Sequence, residues 1–162
     1  GDIGEFTPEG RLKITDRKKD LIKTAGGKYV APQKLENHLR LNPYVSQALI
    51  HGDQKKFIVA LITLDRETCQ NHLREIGRSV GNLEELAKTD EIRRLVQKSV
   101  REINKSLSSF ETIKKFKILP VEFTVDSGEL TPSLKLKRKY CDQKYKDDIE
   151  ELYGEDKGGF DL

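Results

Sequence analysis

The chain has 162 residues, with 30 basic and 27 acidic side chains, a formal net charge of +3, and 35% each of charged and apolar residues. That length suits one domain burying about 68–70% of its unfolded surface. The charge is too balanced for nucleic-acid binding on totals alone, and the periodic apolar stretches argue against disorder.

There is no methionine and no tryptophan. The opening Gly1-Asp2-Ile3-Gly4-Glu5-Phe6 already reads as strand, so the chain is expected to be an excised piece of a longer protein. No apolar run approaches the ~18 residues that cross a bilayer, and no secretory leader pattern is present. Cys69 and Cys141 are far apart and lack metal-ligand spacing; they read as free thiols of a reducing cytosol.

In chain order, Glu5-Phe6-Thr7 and Arg11–Thr15 read as strands around a Pro8-Glu9-Gly10 turn. Leu21–Lys23 and Lys28–Val30 flank Gly26-Gly27, a pair that allows backbone conformations closed to other residues. Pro32 suits the first turn of a helix carrying Leu35, His38 and Leu39, which Asn42-Pro43 ends. Val45–Ile50 and Phe57–Leu64 form a hairpin across a polar turn; the second is apolar almost throughout, so both its faces should be covered. Helices follow at Glu67–Ile76 and Leu83–Lys88. A longer one starts at Asp90, with a stripe of Ile92, Leu95, Val96, Val100, Ile103 and Leu107. Phe116–Phe123 reads as a strand, Asp126–Ser133 as a polar loop, and Tyr140–Tyr153 as the last helix, before a tail 154–162 expected to fray. The class is α+β: a small mixed β-sheet flanked by helices, preceded by a short N-terminal β segment.

Gly26-Gly27-Lys28 is not a nucleotide P-loop, because Ile22 stands where the first glycine belongs and Tyr29 where Ser or Thr should follow the lysine. His38, His51 and His72 are isolated, with no zinc spacing, so no metal site is expected. No Gly-x-Ser-x-Gly elbow supports nucleophilic hydrolysis. Two basic clusters remain: Arg17-Lys18-Lys19, and Lys135 with Lys137, Arg138 and Lys139. Such runs are by default solvated faces. The second, however, follows a loop between strand and helix, a position from which lysine reaches a phosphate or carboxylate outside its own domain. One reading is therefore a standalone phosphate- or RNA-binding module using residues 134–139, although no stacking aromatics interleave with the lysines.

The ordered motifs point elsewhere. Gly1-Asp2, Gly10-Arg11-Leu12, Thr15-Asp16-Arg17-Lys18-Lys19-Asp20-Leu21-Ile22-Lys23-Thr24-Ala25-Gly26-Gly27-Lys28, Val30-Ala31-Pro32, Ser108–Phe116 and Leu130–Arg138 together resemble the C-terminal region of AMP-forming acyl-CoA synthetases. The match is closest to the long-chain fatty acid:CoA ligase branch. It covers nearly the whole chain, with a weaker fit across 65–105.

The resemblance implies an enzyme that uses ATP and magnesium to make an acyl-adenylate and then transfers the acyl group to CoA. A small C-terminal domain would rotate between two poses on a large N-terminal domain. Residues 1–18 would be the last strands of that large domain with the approach to the hinge, and residues 19–162 the mobile domain. Asp2 and Arg17 would contact the ribose, Lys19 would be the hinge, and Lys135 would be the catalytic lysine of adenylation. Gly26 and Gly27 would line the pantetheine path, with Lys28 also counted among the cofactor-binding residues; one extra residue before Val30 leaves open which glycine matches the family's. Leu134 stands where many relatives have glycine, a variation the long-chain branch shares. The expected partners are fatty acid, ATP and CoA, with no nucleic acid. Magnesium would be held mainly by ATP and the large domain. The location would be cytoplasmic, with peripheral membrane contact open to the parent enzyme.

Overall fold

The computed structural model describes residues 2–17, 20–154 and 160–161, with the side chains of 2–5, 12–17 and 160–161 left aside. Strands β1 (Asp2–Phe6) and β2 (Leu12–Arg17) pair antiparallel, with a bulge after Ile3. A second hairpin joins β3 (Ile22–Lys23) to β4 (Tyr29–Val30). Helix α1 (Pro32–Leu39) follows at once, its proline in the first turn where a missing N–H costs nothing.

The main sheet has the order β5-β6-β7-β8, from β5 (Val45–His51), β6 (Ile58–Leu64), β7 (Ile113–Ile118) and β8 (Phe160–Asp161). β5 and β6 form the expected antiparallel hairpin. β6 and β7 run parallel, joined by a crossover through α2 (Arg66–Glu75), α3 (Leu83–Ala87) and α4 (Asp90–Lys105). Asp65 caps α2 by accepting from the Thr68 N–H, and Asn82 caps α3 by accepting from that of Glu85.

Every residue of β6 is buried, and strand alternation sends its side chains to two cores. Ile58, Ala60, Ile62 and Leu64 pack with Leu35 of α1, Leu73 of α2 and the α4 stripe Ile92, Val96 and Val100. Val59 and Leu61 pack on the other face with Leu130, Cys141, Ile149 and Leu152. The continuous apolar run therefore marks a strand covered on both sides.

Three boundaries differ from the sequence reading. The strand expected at 116–123 lies at 113–118. Asn104 starts it, its amide donating to the Ile113 carbonyl and accepting from the Ile113 N–H, both at 2.9 Å. Pro120, without an N–H, cannot continue the ladder after the Leu119 N–H bonds Ile62. The last helix is two, α5 (Arg138–Lys144) and α6 (Lys146–Tyr153), broken at Tyr145 where φ is −106° and ψ 23°. In the tail expected to fray, Phe160 and Asp161 pair with Phe116 and Lys115 as β8.

Candidate functional site

Among the described residues one turn occurs three times. In the first copy the Thr7 N–H donates to the Arg11 carbonyl, the Gly10 N–H to the Thr7 carbonyl, and the Arg11 N–H to Thr7 Oγ1 at 3.2 Å. In the second, Thr24 and Lys28 make the same exchange, with the Gly27 N–H donating to the Thr24 carbonyl and the Lys28 N–H to Thr24 Oγ1 at 3.2 Å. In the third, Thr131 and Lys135 do so at 2.8 Å, with the Leu134 N–H donating to the Thr131 carbonyl and the Lys135 N–H to Thr131 Oγ1 at 3.1 Å. Each is a three-residue loop whose last member takes the left-handed conformation: φ is +81° at Gly10, +82° at Gly27 and +64° at Leu134. Threonine at the first position suits a turn that its own hydroxyl helps close. A basic residue follows the left-handed one every time.

The Gly27 turn is tied to the loop between β5 and β6. The Ala25 N–H donates to the Lys55 carbonyl, the Gln54 N–H to that of Lys23, and the Lys23 N–H to Asp53 Oδ1. Gly27 needs the left-handed conformation; Gly26 does not, and a β-carbon there would make an ordinary 3.9 Å contact with Thr24 Oγ1. Lys28 is exposed, its ammonium 5.9 Å from the centre of the Phe110 ring.

The Lys135 turn stands on a fixed base. Leu130 and Leu136 bridge it, and the Lys137 N–H donates to the Glu129 carbonyl at 2.8 Å. The Glu129 side chain is buried. Burial alone would raise its pKa, but Ser127 Oγ at 2.7 Å and Lys144 Nζ at 2.9 Å outweigh that and hold it below the usual carboxylate value.

Arg138, the first residue of α5, forks onto Glu36 of α1 with Nη1–Oε2 and Nη2–Oε1 distances of 2.7 and 2.8 Å. Glu36 Oε2 also accepts from the Ile50 N–H at 2.7 Å, and Arg138 Nη1 donates to the Ile50 carbonyl. Burial would lower the Arg138 pKa, but Glu36, assisted by Asp20 and Asp142, holds it above its ordinary value. The pair ties the Lys135 loop to the helix that follows the Gly27 turn. It also removes Arg138 from the basic cluster: Lys135, Lys137 and Lys139 are exposed, while Arg138 points inward.

Lys135 lines an open cleft of about 630 Å³, with Glu36 of α1, Arg40 just after it, Gln47 of β5 and Tyr140 of α5 among its walls. Its ammonium has no hydrogen-bond or ion-pair partner among the described residues. Gly26, Gly27 and Lys28 do not line this cleft. Asp2 and Arg17 sit opposite each other in the β1–β2 register, so the hairpin brings the two proposed ribose contacts to one end. Lys19 lies outside the described residues.

Two of the histidines have side-chain partners. His72 joins Glu91 and the Tyr44 hydroxyl, and His51 joins Asp142. Burial, then the nearby Asp65, pushes the Cys69 thiol up to about 12. Burial, then Glu129, does the same for Cys141. Both are free and buried, an environment of inert thiols.

The sequence reading missed Thr131 and the Glu36–Arg138 pair. The signal for the first was present three times, as Thr7-Pro8-Glu9-Gly10-Arg11, Thr24-Ala25-Gly26-Gly27-Lys28 and Thr131-Pro132-Ser133-Leu134-Lys135. No local pattern could give the second, whose members are 102 positions apart.

These features define a C-terminal domain of the AMP-binding enzymes: that family matches residues 19–157, and the chain belongs to it. The chain is 46% identical to Long-chain-fatty-acid–CoA ligase FadD15 of Mycobacterium tuberculosis, over 96% of this chain and 26% of that protein. It is 36% identical to human Long-chain-fatty-acid–CoA ligase 1, over 94% of this chain and 22% of that protein. Among solved structures it resembles the adenylation domain of a carboxylate reductase from Mycobacterium chelonae. The TM-score is 0.75 at 28% identity, covering 96% of this chain and 23% of that one. The chain thus spans about a quarter of the length of the curated relatives it matches.

Proposed function

We propose that this chain is the mobile C-terminal domain of a long-chain fatty acid:CoA ligase. Residues 1–18 are the terminal strands of the large domain with the hinge approach, and Lys19 is the hinge; the family match beginning at residue 19 supports that division. The whole enzyme activates a fatty acid with ATP to acyl-adenylate and pyrophosphate, then passes the acyl group to the CoA thiol and releases AMP.

The observation that carries this reading is the separation of two basic turns of one design. Lys135 faces an open cleft and has no partner among the described residues, while the Gly27 turn stands outside that cleft. Two half-reactions served by two faces of one domain require such a separation. In adenylation, the Lys135 ammonium offsets the negative charge shared by the attacking carboxylate and the α-phosphate. In thioester formation, the narrow Gly26-Gly27 turn admits the pantetheine arm, with Lys28 beside it. Asp2 and Arg17, paired across β1 and β2, hold the ribose; a carboxylate accepts from both hydroxyls.

Among the described residues no group of three His, Cys, Asp or Glu side chains could hold a metal ion. In this reading magnesium is held mainly by ATP and the large domain, and the part this chain plays in the chemistry is charge and positioning. No helix among the described residues is long and apolar enough to cross a membrane. The lipid partitioning of long-chain substrates favours peripheral membrane contact by the whole enzyme, and the two free buried thiols favour a reducing, cytoplasmic location.

The test is ligation itself. The full-length protein should convert fatty acid, ATP and CoA to acyl-CoA, AMP and pyrophosphate, whereas the 162-residue chain alone should show no turnover. Turnover by the isolated chain would overturn the assignment.

A further inference from the structure

We infer that Thr131 is the positioning residue for Lys135. The inference rests on the assignment of Lys135 to adenylation and adds to it the group that aims the lysine. A lysine side chain has four rotatable carbons, so the reach of its ammonium is only as well defined as the backbone that carries it. At Lys135 that backbone is held by Thr131. The Lys135 N–H donates to Thr131 Oγ1 at 3.1 Å, its carbonyl accepts from the Thr131 N–H at 2.8 Å, and the Leu134 N–H donates to the Thr131 carbonyl at 2.8 Å. Thr131 Oγ1 also lies 3.0 Å from Ser133 Oγ.

The other two copies of the turn show why the hydroxyl matters more here. Gly10 and Gly27 take the left-handed position without steric opposition, whereas Leu134 holds it at φ +64° against the crowding of its own β-carbon. A turn with glycine there closes readily. This one, without glycine at that position, relies on its hydrogen bonds to Thr131. Below the turn the Leu130–Leu136 bridge and the bond from Lys137 to Glu129 are independent of the hydroxyl. Loss of Thr131 Oγ1 therefore loosens the tip that carries Lys135 and leaves the base in place.

The test uses the full-length ligase with Thr131→Val, Thr131→Ser, Lys135→Ala and, as a control in the matching turn, Thr7→Val. Thr131→Val, equal in shape but without the acceptor, should lower kcat for pyrophosphate formation about tenfold, since small misplacements of a reacting group cost up to ~10²-fold. KM for ATP and fatty acid should hold, as should thioester formation from supplied acyl-adenylate. Thr131→Ser should restore adenylation, and Thr7→Val should leave both half-reactions unchanged. The inference is overturned if Thr131→Val is silent while Lys135→Ala abolishes adenylation, if both half-reactions fall together, or if Thr131→Val unfolds the protein in a thermal melt. Adenylation surviving in Lys135→Ala would instead defeat the assignment of the lysine, and the inference with it.

Discussion

Leu134 occupies, in the turn that carries Lys135, the left-handed backbone position that Gly27 occupies in the turn that carries Lys28. Their φ values are +64° and +82°. Two positions of equal geometry but different side chains should respond to exchange with opposite signs. Gly27→Leu forces a β-carbon into the disfavoured region and should destabilise the domain by about 1–2 kcal/mol. Leu134→Gly relieves a similar strain, offset by about 0.5–1 kcal/mol of unfolded-chain entropy, so it should be neutral or mildly stabilising. The exposure of Leu134, at 58%, means little packing is lost. Gly26→Ala should be tolerated, which separates the two glycines. Denaturant melts of the three variants decide; a destabilising Leu134→Gly would show that the leucine is not strained.

The Glu36–Arg138 pair should dominate the stability of the contact between α1 and α5. Glu36→Ala leaves a guanidinium 16% exposed without its partner, and breaking such a buried pair costs about 3–5 kcal/mol. Replacing both residues with methionine should recover much of that loss, because it removes the uncompensated charge. Urea midpoints of the single and double variants measure this. A double variant no more stable than Glu36→Ala would mean the pair contributes through shape, not charge.

Glu129 makes the Lys135 loop sensitive to acid. Burial opposes its ionisation, but Ser127 and Lys144 prevail and hold its pKa below the ordinary value of 4.5. A depressed carboxylate contributes stability that is fully present above the unfolded value and lost as pH falls through the folded one. The melting temperature of wild type should exceed that of Glu129→Gln near neutrality, and the gap should close as pH drops below 4.5. A gap constant across that range would remove the carboxylate charge from the account.

Much of this was legible in the sequence because it is local. The β5–β6 hairpin follows from two apolar runs around a polar turn, and α4 from a stripe at helical spacing. The family motifs lie in short contiguous stretches, so they fix the class. What escaped depends on distant partners. β7 begins at Ile113 because Asn104 meets it there, and the lysines on either side of Phe116 disguised its alternation. Arg138 read as one of four surface cations until Glu36, on a helix far upstream, accounted for it. Leu134 read as a departure from a glycine; only the backbone shows that the glycine conformation was kept without the glycine.

The most direct test is the Lys135→Ala variant of the full-length protein, assayed separately for the two proposed half-reactions. Pyrophosphate release from ATP and fatty acid should fall by about 10²–10³ or more, the effect of removing one preorganised charge donor. Acyl transfer to CoA from supplied acyl-adenylate should remain close to wild type. Equal loss in both half-reactions would contradict the separation of the Lys135 and Gly27 turns into two steps.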